Sequence, residues 1–243
     1  AKYNYHFKHM TTVGEPIEPE VWKWYYHVVG KGKAAIVDTW WQTETGGFLC
    51  STLPALAPMK PGSAGKGVPG IHPIIYDDEG NVIPSGAGKA GNICIQNPWP
   101  GGFQTIWGDR DRFVDTYYAR SCKDPNSKDW RDWPYMTGDA AVEAEDGYYR
   151  ILGRIDDVIN VSGHRLGTKE IESSALVVSE VAEAAVVPVA HDIKGSEPDL
   201  FVSQKTLLKH SKELEQNISD TNRSGSRPLI SWATGTTAAS ATS

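Results

Sequence analysis

Between Asp38 and Gly47 the chain reads Asp-Thr-Trp-Trp-Gln-Thr-Glu-Thr-Gly-Gly, two indoles followed by an amide, two hydroxyls and a carboxylate. Two readings of this run stand level on chemistry alone. It is a packed corner whose polar groups cap the backbone, or a pocket wall whose hydroxyls meet a phosphate and whose acid holds a metal. Other candidate motifs are weaker. Gly65-Lys66-Gly67-Val68-Pro69-Gly70 spells a dinucleotide loop, but Pro69 and the strand-like Ile-His-Pro-Ile-Ile-Tyr after it leave no helix for a phosphate to sit on. Gly88-Lys89 lacks the earlier Gly and the following Ser/Thr of a phosphate-binding loop, and no Gly-x-Ser-x-Gly elbow occurs. Asp77-Asp78 and Asp156-Asp157 read as surface-turn acids, and His6 with His9 has no third ligand nearby.

The elements that must position these groups follow from periodicity. Val21, Trp24, Tyr25 and Val28 at i, i+3, i+4 and i+7 predict an amphipathic helix with that face inward, and Ala34–Val37 a buried strand running into the polar loop. A helix, a strand and then a polar loop is how α/β proteins present ligands. From Cys50 to about Tyr149 the texture turns to short strands (HPIIY, NICIQ, YMTGD, YYRIL) broken by Gly and Pro, which predicts a small twisted sheet or barrel. Aromatics crowd Trp99–Tyr135, and Cys122–Asp132 reads as a surface excursion. After Gly153 come a charged turn, an apolar strand, a Ser-Gly-His turn and a helix with Thr168 as N-cap and Ile171, Ala175 and Val178 inward. AEAAVVPVA predicts a strand and LLKHSKELEQNI a further helix, a βαβ-like texture. The charge-free Ser/Thr/Ala/Gly stretch at the end predicts disorder.

Composition bounds the function. The 243 residues carry 24 Lys+Arg against 30 Asp+Glu, a net charge of −6, so no overall basic field draws the chain to nucleic acid or an anionic membrane. A phosphate-bearing small ligand remains open. No apolar run is long enough to span a bilayer, and the opening lacks a hydrophobic signal core, so the expected compartment is cytoplasmic. Cys50, Cys94 and Cys122 are too scattered for a disulfide framework and read as reduced thiols.

Five motifs in order, VGEPI, WWQTETGG, YMTGD, GRIDD and SGHRLGTKEIES, closely resemble the acetyl-CoA synthetases of the adenylate-forming acyl-CoA synthetase superfamily. The resemblance covers roughly 200 residues and well under half of such an enzyme. It implies a mixed α/β (α+β) fold: residues 1–155 as the C-terminal portion of the large AMP-binding domain with a β-barrel-like subdomain, 156–221 as the start of the small swivelling C-terminal domain, and 222–243 as a disordered or frame-shifted tail. It also implies ATP, CoA and Mg2+ as cofactors, acetate as substrate with propionate not separated from it, and the missing parts of its own domains as partners.

Residue by residue, the resemblance places Gly14, Glu15 and Pro16 at the adenine and ribose, and Asp38, Thr39, Trp40, Trp41 and Gln42 along the nucleotide pocket. Thr43 would meet the α-phosphate, Glu44 would hold Mg2+, and Trp41 would close the acyl pocket. Asp139 would bind the ribose hydroxyls with Arg154 assisting, and Arg165 would meet the α-phosphate. Ser162 and Gly163 would border the CoA path, Asp156 would be the hinge, and the carbonyls of Val177 and Val181 are cation candidates. Two family parts are not in the sequence: the Ser/Thr/Gly-rich phosphate loop with its Lys, expected upstream of Gly14, and the terminal Pro-Lys-Thr-x-x-Gly-Lys whose Lys drives adenylation. A fragment inactive by itself is therefore expected. Two other readings compete, another short-chain acyl-CoA synthetase and a non-catalytic binding module.

Overall fold

The computed structural model describes residues 4–119, 126–155, 158–161, 164–191 and 195–204. By internal contacts the chain divides into two units, Ala1–Asp156 and Asp157–Ser243. The expected terminal helix, the tail, Cys122 and the hinge residue Asp156 lie outside the described residues.

The first unit opens with a strand that the Thr/Gly/Pro-rich text did not announce, β1 (His9–Thr12), lying parallel to β2 (Ala35–Trp40). The helix between them, α1 (Pro19–Trp24), starts on Pro at the position where a missing N–H costs nothing. It continues into a wider π-type turn, Tyr25–Val29, closed by Gly30 N–H on the Tyr25 carbonyl. Its buried face is Trp22 with Tyr25, Tyr26 and Val29, packed on Met10, Ala34 and Ile36. The expected face was one residue out of register: Val21, Trp24 and Val28 are 54–60% exposed. Trp-Lys-Trp-Tyr-Tyr-His-Val-Val is apolar on two adjacent stripes, so only the sheet beneath it selects one.

Strand β2 also runs further than expected. Asp38, Thr39 and Trp40, read as loop, are its last three residues and are buried. They stay in the ladder because Thr39 and Trp40 pair with β3 (Cys50–Ser51), which pairs in turn with β4 (Lys66–Gly67). The Gly65–Gly70 run forms this edge strand and a turn, with no helix behind it.

The expected small sheet is present as four antiparallel strands in the order β5 (Pro73–Tyr76), β6 (Ala90–Ile95), β7 (Tyr135–Glu143) and β8 (Tyr149–Arg154). Helix α2 (Arg110–Val114), capped by the Asp109 carboxylate on Arg112 N–H, and a π-type turn Asp115–Ala119 lie between β6 and β7. Trp40, Leu49, Ile75, Ile93, Ile95, Tyr135 and Ile151 bury a shared core that joins this sheet to the first.

In the second unit the βαβ expectation is corrected. β9 (Val158–Val161) and β10 (His164–Gly167) form a hairpin, so His164, expected in a turn, is in a strand. With β11 (Val181–His191) and β12 (Gly195–Gln204) they make a sheet of order β10-β9-β12-β11 in which every pairing is antiparallel. Helix α3 (Thr168–Leu176) covers it through Ile171 and Ala175, and Val178, just past the helix end, packs on the same core, the three residues expected. Its N-cap is Gly167 without a side-chain bond, and Thr168 is the first helical residue. Glu172 instead accepts from the Val186 backbone N–H at 3.0 Å, fastening α3 to β11.

Candidate functional site

Parallel pairing of β1 with β2 sets Thr12 beside Asp38 at the carboxyl ends of both strands. Thr12 Oγ1 donates to Asp38 Oδ1 at 2.6 Å, and Thr39 N–H donates to the same oxygen at 3.1 Å. Thr39 returns a hydroxyl bond to the Thr12 carbonyl at 3.0 Å. Burial pushes the Asp38 carboxyl up to about 6, against the lowering effect of those two donors. Gly14-Glu15-Pro16 leaves β1 at this point, with Gly14 at φ 97°, a backbone open to glycine and strained for a side chain, and nothing occupying the space its Cβ would take. The ends of two strands whose paired residues, Thr12 and Asp38, lie 26 apart in sequence thus emerge side by side, where an open α/β sheet presents ligands.

Beyond β2 the loop is held from several sides. Gln42 caps a 3₁₀ turn, Thr43–Thr45, in which Gln42 N–H donates to Thr45 Oγ1 at 3.0 Å while that hydroxyl donates to the Gln42 carbonyl at 2.8 Å. Gly46 ends the turn at φ 66°, and a Cβ there would collide with the Gly101 carbonyl. Trp99 Nε1 donates to the Thr45 carbonyl at 2.8 Å and Phe103 N–H to the Glu44 carbonyl at 2.9 Å. Thr43 is exposed at the head of the turn, and Glu44 is half-buried with Oε1 accepting from the Tyr117 hydroxyl at 3.0 Å. Trp41 is exposed and meets Phe48 edge-on at 6.1 Å.

Asp139 is where the distant motifs meet. The β6–β7 register jumps between Ile93 and Cys94, so that Thr137 and Gly138 bulge out of the ladder. Gly138 sits at φ 74°, and its missing Cβ makes room for the Arg154 guanidinium. The bulge is pinned by Thr137 Oγ1 donating to the Ile93 carbonyl at 2.7 Å, and it delivers a buried carboxylate to the loop. Trp40 Nε1 and Gln42 Nε2 each donate to Asp139 Oδ2 at 3.0 Å. Arg154, the cross-strand partner of Asp139 on β8, donates to Oδ1 at 3.2 Å and to the Thr137 carbonyl at 2.9 Å. Burial moves the Asp139 carboxyl above its ordinary range, the Trp40 indole and the Arg154 charge pulling the other way. Because Arg154 is half exposed, water screens its attraction, and burial prevails.

The structure therefore brings Thr12, two residues ahead of Gly14, to Asp38, and Trp40, Gln42 and Arg154 to Asp139. Arg165 belongs to the second unit, in β10 opposite Asn160. Ser162 and Gly163 lie outside the described residues. Val177 ends α3 with an exposed side chain and Val181 opens β11 fully buried, a short turn apart. Sequence reasoning missed Thr12, Tyr117 and Tyr135, whose hydroxyls hold the site residues. The crowding of aromatics from Trp99 to Tyr135 was the signal for the two tyrosines, with Tyr135 also opening YMTGD, and Thr12 had none. A cavity of about 430 Å3, walled by Trp99, Phe113, Tyr118, Trp130 and Tyr135, takes only Tyr135 from the five motifs and none of the expected site residues. The motif geometry is the better guide to chemistry, because it alone joins titratable groups to a Gly-shaped approach.

Among the described residues no three His, Cys, Asp or Glu converge as a metal cage, and no helix is long and apolar enough to cross a membrane. A lone carboxylate beside a hydroxyl does fit a cation that keeps its waters and is completed by phosphate oxygens.

Comparison with known proteins gives the same outline. The family model for the AMP-binding enzyme matches residues 1–106, and that for the AMP-binding enzyme C-terminal domain matches 170–231. Acetyl-coenzyme A synthetase of Sinorhizobium fredii is 49% identical over 218 residues, 90% of this chain and 32% of that protein. The acetyl-coenzyme A synthetase 1 of Pseudomonas aeruginosa is 47% identical over 229 residues, 92% of this chain and 33% of that protein. The Agrobacterium fabrum acetyl-coenzyme A synthetase is 53% identical over 184 residues, 76% of this chain and 26% of that protein. The chain thus spans about a third of the length of the curated relatives it matches. In fold it is similar to a solved anthranilate CoA ligase, AuaEII in complex with anthranoyl-AMP, with TM-score 0.70 and 24% identity over 94% of this chain and 41% of that one.

Proposed function

We propose that this chain, which belongs to the AMP-binding enzyme family, is the stretch of an acetate–CoA ligase that holds the adenylate. The observation that carries the reading is the convergence of Trp40, Gln42 and Arg154 on the buried Asp139 carboxylate. A carboxylate offers about four lone-pair positions. Oδ2 receives two donors here, and Oδ1 has one long bond among the described residues, leaving acceptor capacity for ribose hydroxyls.

The residues divide the work. Gly14, Glu15 and Pro16 border the adenine and its sugar, and Asp38, Thr39 and Trp40 form the pocket floor. The exposed Thr43 hydroxyl donates to the α-phosphate, and Trp41 limits the acid to acetate or propionate. Glu44 would hold Mg2+, which would neutralise phosphate charge, and the carbonyls of Val177 and Val181 are candidates for another cation. Arg165 meets the α-phosphate by paired donors. Ser162 and Gly163 border the CoA path, and Asp156 is the hinge where residues 1–155 and 156–221 meet.

The chemistry is two displacements. An acetate oxygen attacks the α-phosphorus of ATP, the bond to the β-phosphate oxygen breaks, and pyrophosphate leaves. The CoA thiol, losing its proton, then attacks the acetyl carbonyl, and AMP leaves. The protein acts by positioning and charge stabilisation. This stretch alone is expected to bind AMP weakly in calorimetry, with Asp139→Ala abolishing the heat, and to form no acetyl-CoA. A folded sample with no AMP heat, or one that makes acetyl-CoA unaided, overturns the respective half. Small molecules are the partners in this reading, without nucleic acid or membrane, in a cytoplasmic protein.

A further inference from the structure

We propose that the stacked phenols of Tyr117 and Tyr135 are positioning residues for the loop after β2, Tyr135 setting the Gln42 amide and Tyr117 the Glu44 carboxylate. The inference rests on the nucleotide reading of that loop. The two rings lie parallel, 5.7 Å apart and 5° from coplanar directions, yet they come from different elements, the π-type turn after α2 and the start of β7. Their hydroxyls part company. Tyr135, buried, donates to Gln42 Oε1 at 3.0 Å, and Tyr117 donates to Glu44 Oε1 at 3.0 Å.

Each bond has a directional consequence. An amide has a donor end and an acceptor end. With Oε1 held by Tyr135, the Gln42 Nε2 end is committed to Asp139 Oδ2 and to the Thr137 carbonyl at 2.7 Å, so the phenol steadies the donor that orients Asp139. On Glu44, Tyr117 engages Oε1 and turns the other oxygen to its own task. The rings cannot drift, because Trp99 meets Tyr135 edge-on at 5.2 Å and Phe103 meets Tyr117 at 4.8 Å. Trp99 and Phe103 are the residues whose N–H groups hold the loop backbone at Thr45 and Glu44. One aromatic cluster thus fixes both the loop's backbone and its two working side chains.

A core role and a positioning role give different results in the complete ligase that contains this stretch. Phenylalanine keeps each ring and removes only the hydroxyl. Tyr135→Phe is expected to weaken metal-free AMP binding about threefold to tenfold, with the Mg2+ dependence of ATP binding unchanged. Tyr117→Phe is expected to raise the Mg2+ concentration needed for ATP binding by a similar factor, with metal-free AMP affinity unchanged. A melting curve accompanies each variant. If either variant leaves its own readout at wild-type level, or both weaken both readouts alike, the proposal is overturned. As a second route, Tyr135→Phe added to Gln42→Ala should cost AMP affinity nothing further, and an additive loss rejects it. Asp139→Asn binding AMP as tightly as wild type would instead remove the nucleotide reading itself.

Discussion

Gly138 shows how one residue type can decide a site. At φ 74° a side chain is strained, and a Cβ would stand 2.6 Å from an Arg154 nitrogen. Gly138→Ala should cost about 1–2 kcal/mol in urea unfolding and should weaken AMP binding, because Arg154 must move away from Asp139. Asp38 makes a pH prediction. Its folded pKa of about 6 lies above the ordinary 3.8, so the stability the neutral acid confers is complete below about 3.8 and is lost as pH rises through about 6. Asp38→Asn keeps an oxygen acceptor for Thr12 and Thr39 without the charge. It should match wild type near pH 3.5 and exceed it above pH 6.5, by at most about 3 kcal/mol, in denaturant titrations across that range. A constant difference at all pH values would assign the effect to packing.

Among elements, α1 and the turn after it carry two candidate faces one residue apart, and the fold uses the second. Trp22 is 6% exposed and stacks on Tyr26 at 5.3 Å, whereas Trp24 is 56% exposed. Trp22→Ala should therefore cost about 3–5 kcal/mol, and Trp24→Ala within about 0.5 kcal/mol of nothing, by thermal or urea unfolding. The reverse order would restore the face that periodicity selects. The bulge in β7 is the second element-level decision. Its Thr-Gly pair is legible as text, but the register slip it makes against Ile93 and Cys94, which turns Asp139 toward the loop, depends on β6 lying alongside.

Over the whole chain, the two units draw their cores from separate sets of residues. Ile159, Ile171, Ala175, Val181, Val186 and Leu200 make up the second. Leu200→Ala should cost about 2–5 kcal/mol there, measured as lost amide-exchange protection in β11 and β12, and retained protection would show that Leu200 is not central. The family models leave residues 107–169 unmatched, the interval that supplies Tyr117, Tyr135, Asp139 and Arg154. Asp139 and Arg154 were named only through the resemblance carried by YMTGD and GRIDD, and the ion pair between them comes from the pairing of β7 with β8. The strands of the small sheet and the α3 face were legible, because alternation and helical spacing are local properties. What tertiary contact alone decided is of another kind: which apolar stripe of α1 faces inward, that β2 continues through Asp38 to Trp40, that the second sheet is antiparallel, and that two tyrosine hydroxyls hold Gln42 and Glu44. Each of these depends on a partner distant in sequence, and a hydrogen bond or a buried face has no direction until that partner is in place.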